Sequence, residues 1–129
     1  MVIVLDTNAY TALIANDASM ATAIQKCDKV ILPVIVIAEL FSGFKVGNKE
    51  EYNMQIFEQF LQISKIEIAP IDYDSAMIYA DIYKQLKHDG KPIPVNDIWI
   101  AAITIQQKAA VLTLDKHFSY VKGLKIYTV

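Results

Sequence analysis

The sequence predicts an α/β fold in which helices cover both faces of a mostly parallel central sheet. Short apolar runs rich in β-branched residues, such as Val2–Leu5 and residues 30–32, alternate with longer segments whose apolar residues recur at helical spacing. Parallel strands need long crossover connections, and these connections place helices on the faces of the sheet. With four to five such runs, we expect a three-layer α/β/α sandwich.

Length and composition fit one domain that includes the whole chain. The 129 residues are 54% hydrophobic and 20% charged, which is too apolar for a disordered protein. The longest near-apolar run, residues 30–38, contains Pro33 and is much shorter than the roughly 20 residues of a membrane-spanning helix. No basic segment precedes the first apolar run, so no signal peptide is expected. We therefore expect residues 1–129 to form one domain that works in the cytoplasm, away from membranes.

The cysteine content and the charge of the chain limit the kinds of functional site that it can form. Cys27 is the only cysteine, which excludes an internal disulfide and a thiolate metal cluster, and we interpret it as a small core or surface residue. The net charge is −2, and all 12 basic residues are lysines. A nucleic-acid surface would therefore be local and would lack bidentate arginine contacts. The densest lysine group, Lys84, Lys87 and Lys91, is either such a surface or a solvated helix face.

The first half of the chain begins with a strand that leads into a helix. The strand, Val2–Leu5, stops at Asp6, and Thr7 and Asn8 are residues that cap helices. Pro33 fits the start of a later helix. The elements predicted in this half are helices at residues 9–15 and 18–26, a strand at 30–32, a helix from 34 to about 45, a helix from 48 or 49 to 63, and a strand at 66–68.

In the second half of the chain, apolar stripes predict helices, and two prolines predict a loop between them. A helix that begins at Asp72 or Asp74 and ends near Gly90 is predicted from its apolar spacing. Residues 91–95 contain two prolines and are predicted to form a loop that delivers Asp97 to the start of a helix reaching about residue 108. Strands follow at 110–114 and 124–127. In the earlier helix, one face is predicted to carry Tyr52, Ile56, Phe60 and Ile63. In this helix, a stripe at helical spacing is assigned to the core: Met77, Ala80, Tyr83 and Leu86.

Four acidic residues are candidate metal ligands because of their positions in these elements. Asp6 follows the first strand, Asp115 follows the fourth, and Asp97 opens a helix, so all three are expected beyond the carboxyl ends of the strands. Glu39 is the one charged residue in the apolar stretch 30–41, and burying a lone carboxylate costs several kcal/mol. Each acid alone also fits a turn, a cap or a solvated side chain. Those explanations do not account for acids at three element ends on one side of the sheet.

Carboxylates gathered in one cleft favour a hard divalent cation. Two unit charges about 4 Å apart repel by roughly 4 kcal/mol at an effective dielectric constant of about 20, and a cation reverses that penalty. An all-oxygen ligand set suits Mg²⁺ or Mn²⁺ rather than zinc. His88 and His117 do not have a zinc-binding spacing, and we interpret His117, which follows Asp115 closely, as a structural or surface histidine.

Four short segments carry a family resemblance. They read VLDTN at residues 4–8, AEL at 38–40, PVNDIWIAA at 94–102 and LTLDKHF at 112–118. In this order and at these separations, they resemble PIN-domain proteins, in particular the VapC-type ribonuclease toxins of prokaryotic toxin–antitoxin pairs. The resemblance extends over nearly the whole chain.

This resemblance implies a PIN-like fold and a metal-dependent endoribonuclease that hydrolyses RNA phosphodiester bonds as the toxin of a pair. It also implies a small antitoxin partner and a homodimer. The residues that match the family's three main acids are Asp6, Glu39 and Asp97, and Asp115 matches the more variable fourth. Neighbouring polar positions, which would hydrogen-bond the ligands, are matched by Thr7, Asn8, Asn96 and Thr113.

One position departs from the family pattern. Members often have a basic residue directly before the fourth acid, whereas this chain has Leu114 there and Lys116 after the acid. Lys116 therefore joins Lys84, Lys87 and Lys91 as a candidate contact for RNA phosphates.

Two other functions remain open at this point. One is a non-catalytic PIN-like binding module that keeps the fold without the activity. The other is a phosphatase or phosphoacceptor domain with Asp6 as its nucleophile. A second aspartate two residues later is expected in that case, and this chain has Asn8.

Overall fold

The chain builds one sheet whose strands alternate with helices. The structure is a computed structural model that describes residues 1–128. Its elements are, in chain order, β1 (Val2–Leu5), α1 (Thr7–Ile14), α2 (Ala18–Lys26), β2 (Lys29–Pro33), α3 (Val34–Val46), α4 (Glu50–Leu61), β3 (Ile66–Ala69), α5 (Tyr73–Asp89), α6 (Val95–Gln106), β4 (Ala110–Leu112), a 3-10 helix (Lys116–Tyr120) and β5 (Lys125–Tyr127). None of the helices within residues 1–128 combines the length and apolarity needed to cross a membrane.

The sheet order explains where a cleft forms. The strands lie in the order β3-β2-β1-β4-β5, and all four neighbouring pairs are parallel. The predicted α/β class is therefore confirmed, with five parallel strands in the described chain. Because crossovers between parallel strands are right-handed, α1 to α4 cover one face and α5 and α6 the other. The direction of travel reverses beside β1, and open sheets form ligand crevices at such a point.

Aromatic contacts hold the helices of each face together. The Phe57 ring of α4 lies 5.2 Å from Phe41 of α3 and 5.9 Å from Tyr10 of α1, measured between ring centroids. On the other face, Tyr79 of α5 lies 4.2 Å from Trp99 of α6. Edge-to-face and offset pairs of this kind add about 0.5–1.5 kcal/mol each beyond their area burial. These contacts fix the helices that carry the candidate site residues.

The cysteine of the chain, Cys27, is buried in the core.

Two element ends near the cleft differ from the sequence prediction. The fourth strand ends at Leu112 rather than at Leu114, because the backbone N–H of Asp115 donates to Thr113 Oγ1 at 2.9 Å and turns the chain. The first helix begins at Thr7 with Asp6 as its N-cap, so the prediction that Thr7 and Asn8 cap a helix from residue 9 is wrong.

The loop before α6 is also shorter than predicted. Val95 is the first helical residue, and Pro94 precedes it in an extended conformation. Proline restricts its own backbone and that of the residue before it, but not that of the residue after it. Asp97 consequently lies in the first turn of the helix rather than at its opening residue. The other predicted element ends agree with the structure to within two residues.

The face of α4 that helical spacing predicts is only partly buried in the structure. Tyr52 and Ile63 are exposed, and the buried side chains of this helix are Phe57 and Phe60. Helical spacing shows that residues share a face, but it does not show which face meets the sheet.

The predicted core stripe of α5 is wrong at three of its four residues, because residues spaced by three drift around a helix, and Met77 and Leu86 lie on opposite faces of it. Met77, Ala80 and Tyr83 are exposed, whereas Ile82 and Leu86 are buried against the rest of the molecule. The helix therefore has a second apolar face that the described chain leaves uncovered.

Candidate metal centre

An open cleft lies beyond the carboxyl ends of β1 and β4. It has a volume of about 370 Å³. Its lining residues are Asp6, Thr7, Asn8, Glu39, Pro94, Val95, Asn96, Asp97 and Asp115. All four acids singled out in the sequence therefore lie on one cleft, together with three of the four polar residues predicted beside them. The fourth, Thr113, contacts the cleft through its hydrogen bond to Asp6.

Asp6 is the most buried of the acids, at 2% exposure. It caps α1, accepting the backbone N–H of Ala9 on Oδ1 at 2.8 Å, and its Oδ2 accepts the hydroxyl of Thr113. Burial raises the pKa of this carboxyl to about 6, and the charges of Asp115 and Asp97 add to the rise. The two hydrogen bonds oppose that shift. An ionised Asp6 is consequently costly unless a positive charge lies nearby.

Glu39 reaches the cleft from α3. This helix begins directly after β2, so the side chain of Glu39 is held close to the same edge of the sheet. The Thr7 hydroxyl donates to Glu39 Oε1 at 2.8 Å, which links the first turn of α1 to α3. The half-buried carboxylate therefore has a fixed orientation toward the cleft.

Asp97 and Asp115 complete the acidic group. Burial raises the pKa of Asp97; the hydrogen bond and charge of His117 oppose the rise, and the charges of Glu39 and Asp115 add to it. Asp115 follows β4 by way of a short turn, and its Oδ2 accepts the side-chain amide of Asn8 at 2.8 Å. The charges of Glu39 and Asp115 therefore act on Asp97, and those of Asp97 and Asp115 act on Asp6, across the cleft.

The sequence interpretation missed one contact, that of His117. Its Nε2 lies 2.7 Å from Asp97 Oδ2, within hydrogen-bond distance. One potential ligand atom from each of Asp97, Asp115 and His117 lies within 4.8 Å of the other two. The short spacing between Asp115 and His117 can be seen in the sequence. The sequence does not show the 3-10 helix that turns the imidazole toward α6.

The candidate lysines lie outside this cleft. No lysine lines the cleft among residues 1–128. Lys116 lies on a neighbouring groove that shares Asp115, and Lys87 lies on a separate, more apolar groove. Lys84 is exposed on α5, and the Lys91 ammonium lies over a tyrosine ring. Phosphate contacts by these lysines stay a prediction.

The donor set fits a hard divalent cation. Four carboxylates share one cleft, the most buried of them has a pKa of about 6, and no lysine side chain lines the cleft in the described residues. Oxygen-rich sets of this kind suit Mg²⁺ and Mn²⁺. The hydrogen bonds from Thr7, Asn8 and Thr113 hold three of the acids in place.

Burial of Asp6 has a consequence for pH-dependent stability in the absence of metal. Between the ordinary aspartate value of 3.8 and the folded-state pKa of about 6, the folded protein keeps a proton that the unfolded chain has lost. Asp6 therefore makes the free energy of unfolding fall as pH rises through this window, by about 1–3 kcal/mol. Asp97 contributes in the same direction.

Urea unfolding in EDTA, at pH values from about 4 to about 7.5, measures this effect. The variant Asp6→Asn keeps an acceptor for the N–H of Ala9 but carries no charge, so we expect it to be more stable than the parent protein at the upper end of this range and equal to it at the lower end. Subtracting one pH profile from the other cancels the contribution of the remaining acidic residues to the free energy of unfolding. Identical profiles for the two proteins would contradict the role assigned to Asp6.

Comparisons with known proteins give a consistent result. The family described as the PIN domain matches residues 3–124. Ribonuclease VapC5 of Mycobacterium tuberculosis is 28% identical over 120 residues, which cover 93% of this chain and 87% of that protein. VapBC2 from Rickettsia felis, solved bound to a DNA fragment from their promoter, has a TM-score of 0.89 at 26% identity over 98% of both chains. VapBC-5 from Mycobacterium tuberculosis, a member of the VapBC family of toxin–antitoxin systems, has a TM-score of 0.76 at 27% identity, covering 99% of this chain and 98% of that one.

Proposed function

This chain belongs to the PIN-domain family, and we propose that it is a metal-dependent endoribonuclease that hydrolyses RNA phosphodiester bonds as the toxin of a toxin–antitoxin pair. The observation that carries the proposal is the set of four carboxylates, from four places in the chain, on one cleft. The ribonuclease name of its relative from Mycobacterium tuberculosis supports the reaction, and the toxin–antitoxin description of the VapBC-5 structure supports the role.

Asp6 and Asp97 would hold the cation, Mg²⁺ or Mn²⁺, most directly. Both carboxylates lie at element ends beside β1, and burial raises the pKa of each. Glu39 and Asp115 would complete the site or orient the attacking water. When bound, the cation supplies a water of lowered pKa and stabilises the negative charge that develops on the phosphate.

The polar neighbours have a positioning role in this mechanism. Thr113 holds Asp6, Thr7 holds Glu39, and Asn8 holds Asp115, each through a side-chain hydrogen bond. These bonds fix the carboxylates before RNA binds, which lowers the reorganisation needed during reaction. Asn96 lies on the cleft beside Asp97, and we assign it the same kind of role.

RNA would approach past the lysine nearest the acids. Lys116 lies on the groove adjacent to Asp115, so it is the first candidate for a phosphate contact. Lys84, Lys87 and Lys91 form the second candidate group, at and just beyond the C-terminal end of α5. We expect the protein to act in the cytoplasm, with residues 1–129 as one functional domain.

An antitoxin partner would cover the acidic cleft. A cleft lined by four carboxylates attracts basic side chains, so a cationic segment of a small antitoxin suits it as an inhibitor. The VapBC structures from Rickettsia felis and Mycobacterium tuberculosis are similar to this chain over nearly its whole length, which supports such a partner.

The uncovered face of α5 supports a homodimer. Tyr73, Met77 and Tyr83 are 79%, 57% and 48% exposed and lie at helical spacing on this face. Contiguous exposed apolar surface marks interaction sites more often than single exposed residues do. Covering this face with a second copy would remove the exposure.

Sedimentation equilibrium of the free protein tests the homodimer. We expect twice the mass of the 14.5 kDa chain, and a shift toward the monomer in Tyr83→Glu. Tyr52→Glu is the matched control, since Tyr52 is exposed on α4 instead. A monomeric parent protein, or equal shifts in both variants, would reject this interface.

The phosphoacceptor alternative receives little support from the cleft. A second aspartate is expected two residues after a nucleophilic aspartate, whereas this chain has Asn8 there, and its side-chain amide donates to Asp115 at 2.8 Å. The non-catalytic module remains the stronger alternative, because retained ligands do not by themselves establish turnover.

Cleavage of RNA in the presence and absence of divalent cation tests the function. Purified protein is incubated with total bacterial RNA in Mn²⁺, in Mg²⁺ and in EDTA, and we expect fragments only where cation is present. Cleavage that survives EDTA would contradict the proposed mechanism. Cation binding without cleavage of any RNA would favour the non-catalytic module, and a covalent phosphoenzyme would favour the phosphoacceptor.

A further inference from the structure

The His117 imidazole is a potential metal ligand that the four-carboxylate mechanism does not use. It is half-buried, in the 3-10 helix Lys116–Tyr120, and it is aimed at the cleft acids rather than at solvent. Its Nε2 lies 2.7 Å from Asp97 Oδ2.

We propose that His117 supplies a nitrogen ligand to a divalent cation held also by Asp97 and Asp115, and that this nitrogen makes the site prefer Mn²⁺ to Mg²⁺. The inference rests on the proposed function in requiring that the cleft bind a divalent cation. It goes further, because it adds a ligand outside the carboxylate set and selects between the two cations.

The spacing of the ligand atoms fits a single cation. At bond lengths of about 2.0–2.3 Å, adjacent ligands on one ion lie roughly 3 Å apart and opposite ligands about 4–4.6 Å apart. One ligand atom from each of Asp97, Asp115 and His117 lies within 4.8 Å of the other two, so rotation of the side chains can bring all three onto one ion. The existing separation between His117 and Asp97 already suits adjacent ligands.

The local packing keeps the imidazole near these acids. Phe118, the next residue, is fully buried, which anchors the 3-10 helix to the core. Asp115 is held from the other side by the Asn8 amide at 2.8 Å. Binding a cation would exchange the hydrogen bond between His117 and Asp97 for two bonds to the same ion, without moving the backbone that carries either residue.

The chemistry of the added ligand determines the preference. Mg²⁺ takes oxygen ligands almost exclusively and keeps several of its waters. A neutral imidazole is a softer donor, and affinities for such nitrogen-containing sites follow the first-row transition-metal order rather than the order set by charge and size alone. One nitrogen among carboxylates therefore favours Mn²⁺ without excluding Mg²⁺.

Electron spin-echo spectroscopy of bound Mn²⁺ tests the ligand directly. We expect modulation from a coordinated ¹⁴N nucleus in the full-length protein, its replacement by the ¹⁵N pattern after labelling of histidine, and its loss in His117→Gln. His88→Gln, at the exposed end of α5, is the matched control and should keep the signal. The isotope experiment needs no substitution, so it remains decisive even where a variant folds poorly.

Calorimetric titration with each cation tests the preference. His117→Gln should weaken Mn²⁺ binding by about 10-fold or more and Mg²⁺ binding by less than about 2-fold. Equal losses for both cations would mean that His117 only positions Asp97, and Mn²⁺ bound without nitrogen coupling would likewise overturn this inference while leaving the proposed function intact. Failure of the parent protein to bind either cation would overturn both.

Discussion

Replacing Asp6 by asparagine should slow RNA cleavage by about 10²–10³-fold, on the scale of losing one electrostatic contact to the transition state. Asparagine keeps the size of the side chain and an oxygen that can accept the N–H of Ala9, so α1 keeps its cap. What the variant loses is the negative charge that would bind the cation. The rate is measured with saturating Mn²⁺ on labelled RNA.

Asp17→Asn is the control for this substitution. Asp17 caps α2 through the backbone N–H groups of Ser19 and Met20, so the exchange is chemically identical and lies outside the cleft. We expect its cleavage rate to match that of the parent protein. Equal activity of Asp6→Asn and the parent would remove Asp6 from the mechanism, since the metal-free stability of this variant is expected to rise rather than fall.

A divalent cation should raise the free energy of unfolding by about 3 kcal/mol at roughly 100 times its dissociation constant, because it binds the folded state. For a chain of this length, that gain corresponds to about 10 °C in melting temperature. The gain should be largest at pH values above the Asp6 pKa of about 6, where protons no longer compete for this carboxylate. Thermal unfolding in EDTA, and then with added Mn²⁺, measures it.

Asp97→Asn is the variant with which the stabilisation by cation is compared. Without metal, Asp97→Asn should be no less stable than the parent, since burial raises the pKa of the acid that it replaces. At the Mn²⁺ concentration used for the parent protein it should gain less than about 1 kcal/mol, because the missing ligand weakens cation binding. An equal gain in both proteins would place the cation elsewhere.

The fold could be predicted from the sequence because its strands are short apolar runs and its crossovers are long. Val2–Leu5 shows this well, since four apolar residues followed by an aspartate predict a strand buried on both faces. Which face of a helix meets the sheet could not be predicted in the same way. In α5, the tertiary packing buries the face that carries Ile82 and Leu86 and leaves exposed the opposite face, which carries Met77.

The acidic group could be predicted because three of its members follow from local patterns that repeat at one edge of the sheet. Asp6 and Asp115 follow strands, and Asp97 lies in the first turn of a helix, so parallel topology brings them together. His117 could not be placed, because its contact with Asp97 spans 20 residues and depends on how the 3-10 helix folds back. Its position in the sequence alone favours a structural or surface role.

Carboxylates that are distant in the sequence should together form one binding site for a divalent cation. Crystals soaked in Mn²⁺ and measured at its absorption edge test this most directly. We expect one strong anomalous peak in the cleft, within about 2.5 Å of carboxylate oxygens from both Asp6 and Asp97, with bond lengths typical of oxygen ligands. An empty cleft in crystals of protein that cleaves RNA, or a peak at a site remote from Asp6, would rule out a shared carboxylate site for the cation.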